Sequence, residues 1–104
     1  MANIKTALLP VVLCSLASNG DVAEIRKLYE QDGVNLNVCD YDMRCALHLA
    51  VCEGMFDLVK YLVDNGAVVN AKDRWGHTPY SEAIRCGYPD IAEYLEIHGA
   101  NTQE

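Results

Sequence analysis

The chain has 104 residues, of which 51% are hydrophobic, and its formal net charge at pH 7 is -7. This length suits one small domain, and the hydrophobic content is that of a folded chain rather than a disordered one. Eight Lys and Arg against fifteen Asp and Glu argue against nucleic acid as a partner, because phosphate binding needs clustered positive charge. An acidic surface favours basic partners or simply keeps a protein in solution.

The first two predicted elements are helices at residues 6–18 and 22–31, punctuated by glycine as helix ends often are. Residues 1–17 also resemble a secretory signal peptide, with Lys5 ahead of an apolar run. An uncleaved buried helix explains the same residues. Without that helix, the apolar side chains Ile25 and Leu28 of the second element would have no helical partner.

The third and fourth predicted elements are helices at residues 46–53 and 56–65. Each has one apolar stripe at the spacing i, i+3, i+4, and a glycine follows where the stripe ends. The stripe residues are Leu47, Ala50 and Val51 in the first helix, and Leu58, Val59, Leu62 and Val63 in the second. Two short amphipathic helices are therefore expected to form a hairpin.

The last two predicted helices cover residues 79–86 and 89–98. Thr78 is a side-chain acceptor for the free N–H groups of a first helical turn, and Pro79 stands where such a turn needs no N–H. This pair marks a helix start.

Two stretches repeat each other at a spacing of thirty-three residues, namely residues 40–71 and 73–101. The matched pairs are Asp40 with Asp73, Gly54 with Gly87, Leu62 with Leu95, and Gly66 with Gly99. A fainter copy, aligned on Gly20, precedes them. A unit this short cannot bury its own apolar face, so copies must stack into an elongated array.

The repeats resemble the ankyrin family, whose unit is a β-turn followed by two antiparallel helices, with the motif T-P-L-H-x-A opening the first helix. The matching residues are Thr78-Pro79-Tyr80 and Cys45-Ala46-Leu47-His48-Leu49-Ala50. The resemblance implies an all-α fold, an ankyrin repeat solenoid of three helix-turn-helix repeats with short β-turn tips. We place the repeats at about 4–38, 39–71 and 72–101 of one domain, 1–104. The first and last are expected to act as caps.

One position departs from the family pattern in a turn. Met43 stands where the family has a turn glycine, at a position that tends to require positive φ. The tightness of this turn is therefore in doubt.

Two phrases carry a narrower resemblance. C-D-Y-D-M-R-C-A-L-H-L-A and K-D-R-W-G-H-T-P-Y-S-E-A are similar to the ankyrin tails of glutaminases and type I asparaginases, although R-W-G-x-T-P also occurs in ankyrin segments of plant kinases. This resemblance implies a regulatory or assembly tail of an amidohydrolase, without the nucleophiles of the catalytic core. A free-standing interaction module is the alternative.

The family resemblance implies binding of another protein through a concave face, made by the turn tips and the outward side of each first helix. The candidate partner-binding residues are Tyr41, Asp42, Arg44, Cys52, Glu53, Arg74, Trp75, His77 and Arg85. Trp75 is the candidate anchor, because aromatic side chains concentrate interface energy. The alternative is that its indole packs on the neighbouring turn. We expect no nucleic-acid or membrane partner, and weak self-association through the apolar ends of the stack.

Five cysteines, an odd number without a compact disulfide framework, favour a reducing, cytoplasmic location. Cys45, His48 and Cys52 share one helical face at i, i+3 and i+7 and could form a metal or thiol site. The alternative is that Cys45 replaces the capping Thr, that His48 bonds to backbone across repeats, and that Cys52 is an exposed variable position. Since no C-x-x-C pair is present, we predict no metal and no cofactor.

Sequence motifs for catalysis are also missing. The sequence contains no Gly-rich phosphate loop, no G-x-S-x-G and no H-E-x-x-H. We therefore expect no catalytic residues and a protein that is not an enzyme.

Overall fold

The computed structural model describes residues 2–102, with side chains from residue 8 onward, and all regular structure in that range is helical. The elements are α1 (Ala2–Ser18), α2 (Val22–Asp32), α3 (Ala46–Cys52), α4 (Phe56–Asp64), α5 (Pro79–Cys86) and α6 (Pro89–Ile97). The all-α prediction is confirmed. The helix limits agree with the predicted ones within two residues, except that α1 begins at Ala2 rather than at residue 6.

The helices form three hairpins that stack side by side. Helix α1 packs on α2, α3 on α4, and α5 on α6, while α1, α3 and α5 form a continuous row. The resulting body measures 43 × 26 × 21 Å, which is the elongated array that the repeat predicted. The turns that precede α3 and α5 lie next to each other.

The core consists of the predicted apolar stripes. The largest fully buried apolar side chains include Leu13, Ile25, Leu47, Leu58, Leu62 and Leu95. Burial of such a side chain contributes about 1.5 to 3 kcal/mol, so the stripes supply most of the driving force for stacking. Leu13 and Ala17 of α1 are fully buried in this core, which gives α2 the partner helix that its own stripe required.

Helices α3 and α5 begin with capping interactions of different chemistry at equivalent positions. Before α5, Thr78 Oγ1 accepts a hydrogen bond from Ser81 N at 3.1 Å, and Ser81 Oγ accepts one from Thr78 N at 2.9 Å. Before α3, the backbone N–H of Cys45 donates to His48 Nδ1 at 3.2 Å. Cys45 thus occupies the position of the usual capping threonine, as its replacement in the motif suggested.

The ring of His48 joins two repeats. Because Nδ1 accepts from Cys45, the ring hydrogen lies on Nε2, which donates to His77 O at 3.0 Å. The ring is 1% exposed. The interpretation of His48 as a structural bridge between repeats is therefore confirmed by its two bonds.

Two asparagines thirty-three residues apart, Asn37 and Asn70, connect each inter-repeat loop to the following repeat. Each side chain donates to a glycine carbonyl oxygen and accepts from a backbone N–H. The bonds are Asn37 Nδ2 to Gly66 O (3.1 Å), Val68 N to Asn37 Oδ1 (2.9 Å), Asn70 Nδ2 to Gly99 O (3.1 Å) and Asn101 N to Asn70 Oδ1 (2.7 Å). We call these side chains the asparagine bridges.

The turn that contains Met43 is closed in spite of the missing glycine. Met43 has φ 62°, and within residues 2–102 it is the single non-glycine residue with positive φ. Its N–H bonds to Asp40 O at 2.9 Å, as Gly76 N bonds to Asp73 O at 3.0 Å one repeat later. The sequence raised a doubt about this turn, and the structure resolves it in favour of a tight turn with a strained methionine.

We expect Met43→Gly to raise the free energy of unfolding by about 0.5 to 1 kcal/mol. Relief of left-handed strain, worth about 1 to 2 kcal/mol, exceeds the entropy that glycine adds to the unfolded chain. Gly76→Ala is the matched variant and should lower the free energy of unfolding, because Gly76 has φ 84°. An added Cβ would meet no atom within 4 Å, so backbone strain alone would cause the loss. Urea unfolding measures both changes, and a destabilised Met43→Gly protein would contradict the assignment of strain.

Candidate partner-binding groove

One aspartate shapes each of the two turns that precede α3 and α5. A single carboxylate oxygen accepts two backbone N–H groups, from the residues two and four positions further along the chain. These bonds join Asp40 Oδ1 to Asp42 N and Arg44 N (both 2.9 Å), and Asp73 Oδ1 to Trp75 N (2.9 Å) and His77 N (2.8 Å). Both aspartates therefore bond to the local backbone of their own turn. Each carboxylate fixes the directions of the side chains that follow it.

The carboxylate of Asp73 is almost fully buried, with 2% of its side chain exposed. Burial by itself would raise the pKa of Asp73, but the N–H groups of His77 and Trp75 and the nearby imidazoles of His77 and His48 outweigh it. The pKa of Asp73 therefore lies below its usual value, and the turn holds a negative charge at neutral pH.

Neighbouring turns are joined to each other. The backbone N–H of Arg74 donates to Asp42 O at 2.8 Å, and Arg74 Nη1 lies 3.6 Å from Asp42 Oδ1. Exposed ion pairs contribute little stability, so the backbone bond is the one that fixes the spacing of the two tips.

Two aromatic side chains project from these tips. Tyr41 is 94% exposed and Trp75 is 60% exposed. The guanidinium carbon of Arg74 lies 5.7 Å from the centroid of the Trp75 ring. The indole thus contacts Arg74 of its own turn on one side and still leaves most of its surface to solvent.

A groove of about 380 Å³ lies between the second and third repeats. Its lining residues are Arg44, His48, Leu49, Cys52, Asp73, Trp75, His77, Glu82 and Arg85. Five predicted partner-binding residues are in this set: Arg44, Cys52, Trp75, His77 and Arg85. Of the other four, Tyr41, Asp42 and Arg74 lie at the turn tips and Glu53 is exposed just after α3. The structure brings most of the predicted set to one surface, and their role in binding stays a prediction.

The sequence analysis missed Glu82, which is charged and only 5% exposed. One carboxylate oxygen bonds to Arg85, and the other lies 3.3 Å from His77 Nδ1. An available signal was the i, i+3 spacing of Glu82 and Arg85 on a helix, which brings opposite charges together. Glu82 gives the groove a negative floor beneath the cations of Arg85 and, when protonated, His77.

The predicted set Cys45, His48 and Cys52 does not form a cluster. Cys45 Sγ contacts His48 Nδ1 at 3.3 Å, but Cys52 Sγ lies 3.7 Å from Cys86 Sγ on α5. Within the part of the chain that the structure describes, the groups close enough to share a metal ion are Cys52, Glu82 and Cys86, and Asp73, His77 and Glu82. The hypothesis of a site on one face of α3 is therefore wrong, and Cys52 faces the next repeat.

The thiols are free, and those of Cys45 and Cys52 have raised pKa values. The five cysteines form no disulfide. Burial raises the pKa of the Cys45 thiol, although backbone N–H groups act in the opposite direction. Burial, the contact with Cys86, and nearby acidic groups all raise the pKa of Cys52. Neither thiol has the lowered pKa of a cysteine nucleophile.

Among residues 2–102, no helix combines the length and the apolarity that crossing a bilayer requires.

A family model described as ankyrin repeats (3 copies) matches residues 12–104. The chain is 46% identical to serine/threonine-protein kinase 12 of Arabidopsis thaliana over 90 residues, which are 86% of this chain and 19% of that relative. It is 43% identical to the potassium channel GORK of Arabidopsis thaliana over 84 residues, or 81% of this chain and 10% of the channel. It is also 37% identical to L-asparaginase of Dirofilaria immitis over 94 residues, or 90% of this chain and 16% of the enzyme.

These relatives carry very different names, and the chain spans a fifth or less of the length of each. What they share with this chain is a stretch of repeats.

Proposed function

This chain belongs to the ankyrin repeat family, and from that membership we propose that it binds another protein through the groove and the turn tips beside it. Ankyrin repeats are non-catalytic modules that mediate protein–protein interaction. The proposal for this chain is that the groove between the second and third repeats, with Trp75 at its edge, is the recognition surface, and that the chain itself catalyses no reaction.

The observation that carries the proposal is an exposed tryptophan on a rigid turn beside a polar groove. Truncation of a tryptophan or arginine at the centre of an interface commonly costs about 2 kcal/mol or more. Trp75 and Arg74 stand together at the tip, and Asp73 holds the backbone beneath them. Because the turn is ordered before binding, little conformational entropy is lost when a partner contacts it.

The charge around the groove favours a partner with polar and charged groups rather than an apolar one. Arg44, Arg74 and Arg85 are partly exposed cations, and Glu82 and Asp73 lie deeper. The net charge of -7 argues against nucleic acid, so we propose a protein partner whose polar and charged groups complement this mixture of arginines and carboxylates.

We further propose that the chain acts as a regulatory or assembly module of a larger cytoplasmic protein. The similarity to L-asparaginase supports the proposal of an amidohydrolase tail, which the two sequence phrases indicated. The similarity to a kinase supports equally a module within a protein of another class. One domain with repeats at about 4–38, 39–71 and 72–101 is the arrangement that we propose for it.

The proposal also includes weak self-association through the last repeat. Ile84 is 56% exposed, whereas Val51, at the equivalent position one repeat earlier, is fully buried. The final face of the stack therefore leaves apolar surface that a neighbour in an array would cover.

We expect the double variant Arg74→Glu, Trp75→Ala to weaken partner binding at least tenfold, because it removes the proposed anchor and reverses the charge beside it. The partner is first captured with the wild-type chain and purified. Its affinity for the wild type and for each variant is then measured. Circular dichroism should show unchanged helix content, since both side chains are mostly exposed.

The control is Lys60→Glu combined with Ile97→Ala, a charge reversal and an apolar truncation on exposed positions of α4 and α6. This variant should bind as the wild type does. Equal affinity of the tip variant and the control variant would refute the assignment of the groove face.

A further inference from the structure

Two cysteines from different repeats meet at the inner end of the groove. Cys52 is the last residue of α3 and Cys86 is the last residue of α5, and their sulfur atoms are 3.7 Å apart. Glu82 lies one turn before Cys86 on α5, so the two side chains share a helix face. One carboxylate oxygen of Glu82 lies within 4.8 Å of both sulfurs. Three donors of metal-ligand type therefore converge from two repeats.

The sulfur spacing suits a shared metal ion better than a disulfide. Zn–S bonds of about 2.3 Å at a tetrahedral angle separate two thiolate sulfurs by about 3.8 Å. A disulfide requires the sulfurs to approach to about 2.05 Å. The observed 3.7 Å between Cys52 and Cys86 matches the first geometry without movement of either helix.

We propose that Cys52, Cys86 and Glu82 bind one Zn²⁺ ion, or a similar thiophilic divalent cation, between the second and third repeats. Each thiol releases one proton as its sulfur bonds to the metal, and the Glu82 carboxylate supplies an oxygen ligand. Cys52 and Glu82 also line the groove, so the fourth coordination position opens toward it and holds water.

Two neighbouring side chains contact the Glu82 carboxylate. Arg85, which bonds to Glu82, has 61% of its side chain exposed and swings into solvent when the cation takes its place. His77 Nδ1, at 3.3 Å from the second oxygen of Glu82, holds the carboxylate in position. The site differs from the sequence-based hypothesis, since it spans two repeats and uses neither Cys45 nor His48. It does not depend on the proposed partner.

The test is a titration of the reduced full chain with Zn²⁺ in competition with a chromophoric chelator. We expect one equivalent to bind. Loss of a residue that only orients a metal ligand typically lowers metal affinity about 10- to 100-fold. Cys52 and Cys86 are proposed to bind the metal directly, so Cys52→Ser and Cys86→Ser should each lower the affinity by about 100-fold or more. Cys39→Ser is the matched control, because Cys39 is a cysteine of similar burial that lies outside the proposed site, and it should leave the affinity unchanged.

Co²⁺ added to the wild-type chain provides a readout that needs no variant. A tetrahedral site with two thiolates should give strong visible d–d bands and a near-ultraviolet thiolate-to-cobalt band. Absence of these bands would overturn the proposal, as would Zn²⁺ binding that Cys52→Ser and Cys86→Ser leave intact. Formation of a Cys52–Cys86 disulfide in air, with no Zn²⁺ bound by the reduced chain, would also overturn it.

Discussion

Replacement of His48 by alanine is expected to lower the free energy of unfolding by about 3 to 5 kcal/mol. The ring is 1% exposed, accepts the Cys45 N–H through Nδ1 and donates to His77 O through Nε2. Alanine leaves a buried donor and a carbonyl oxygen without partners, each at about 1 to 3 kcal/mol, and it leaves a cavity between repeats. Urea unfolding followed by circular dichroism measures the loss.

The chain itself supplies matched variants for this prediction. Ser81 occupies the position equivalent to His48 and caps α5 without bridging repeats. Ser81→Ala should therefore cost only the cap, about 1 kcal/mol. His48→Ser should recover about that amount relative to His48→Ala, because serine restores the cap but not the bond to His77. If His48→Ala costs no more than Ser81→Ala, the bridge between repeats is not a major source of stability.

Replacement of Asp73 by alanine is expected to destabilise the chain by about 2 to 3 kcal/mol at neutral pH. Its carboxylate is 2% exposed and accepts the N–H groups of Trp75 and His77. Hydrogen bonds to charged groups contribute about 1.5 to 3 kcal/mol each, reduced here because the residues that donate them are exposed and water can replace the carboxylate. Asp40→Ala, which removes the same pair of bonds one repeat earlier, should have a similar effect.

The effect of Asp73→Ala should depend on pH in a defined direction. The pKa of Asp73 is lowered in the folded state, so its contribution is fully present above the unfolded-state pKa of about 4. The contribution is lost as the pH falls through the lower, folded-state pKa. The stability difference between wild type and Asp73→Ala should therefore be constant near pH 7 and shrink below about pH 4. A difference that grows on acidification would contradict the assigned shift.

The sequence predicted the elements well because each helix carries local signals. Thr78 and Pro79 mark the start of α5, and the stripe with Leu58 and Leu62 sets the buried face of α4. The turn aspartates were predictable for the same reason, since each bonds to residues only two and four positions away. Local chemistry was sufficient for the fold and for the tips.

Contacts between repeats were less accessible to the sequence. The spacing of Cys45, His48 and Cys52 suggests one helix face, but α3 begins at Ala46, so Cys45 lies outside the helix. The His48 ring turns inward to cap α3, and Cys52 meets Cys86 because the repeats stack with a particular offset. That offset depends on packing between hairpins. The periodicity of residues within one repeat therefore does not predict the offset between repeats.

The asparagine bridges have a kinetic consequence for recognition. Asn37 and Asn70 fasten successive repeats at their loops, and the His48 ring fastens the second and third at the base of the groove. Because hinge motion between hairpins is restrained at two separate places, the binding surface is already in its final arrangement when a partner arrives. Encounter frequency, rather than any slow rearrangement of this chain, should then limit how fast complexes form.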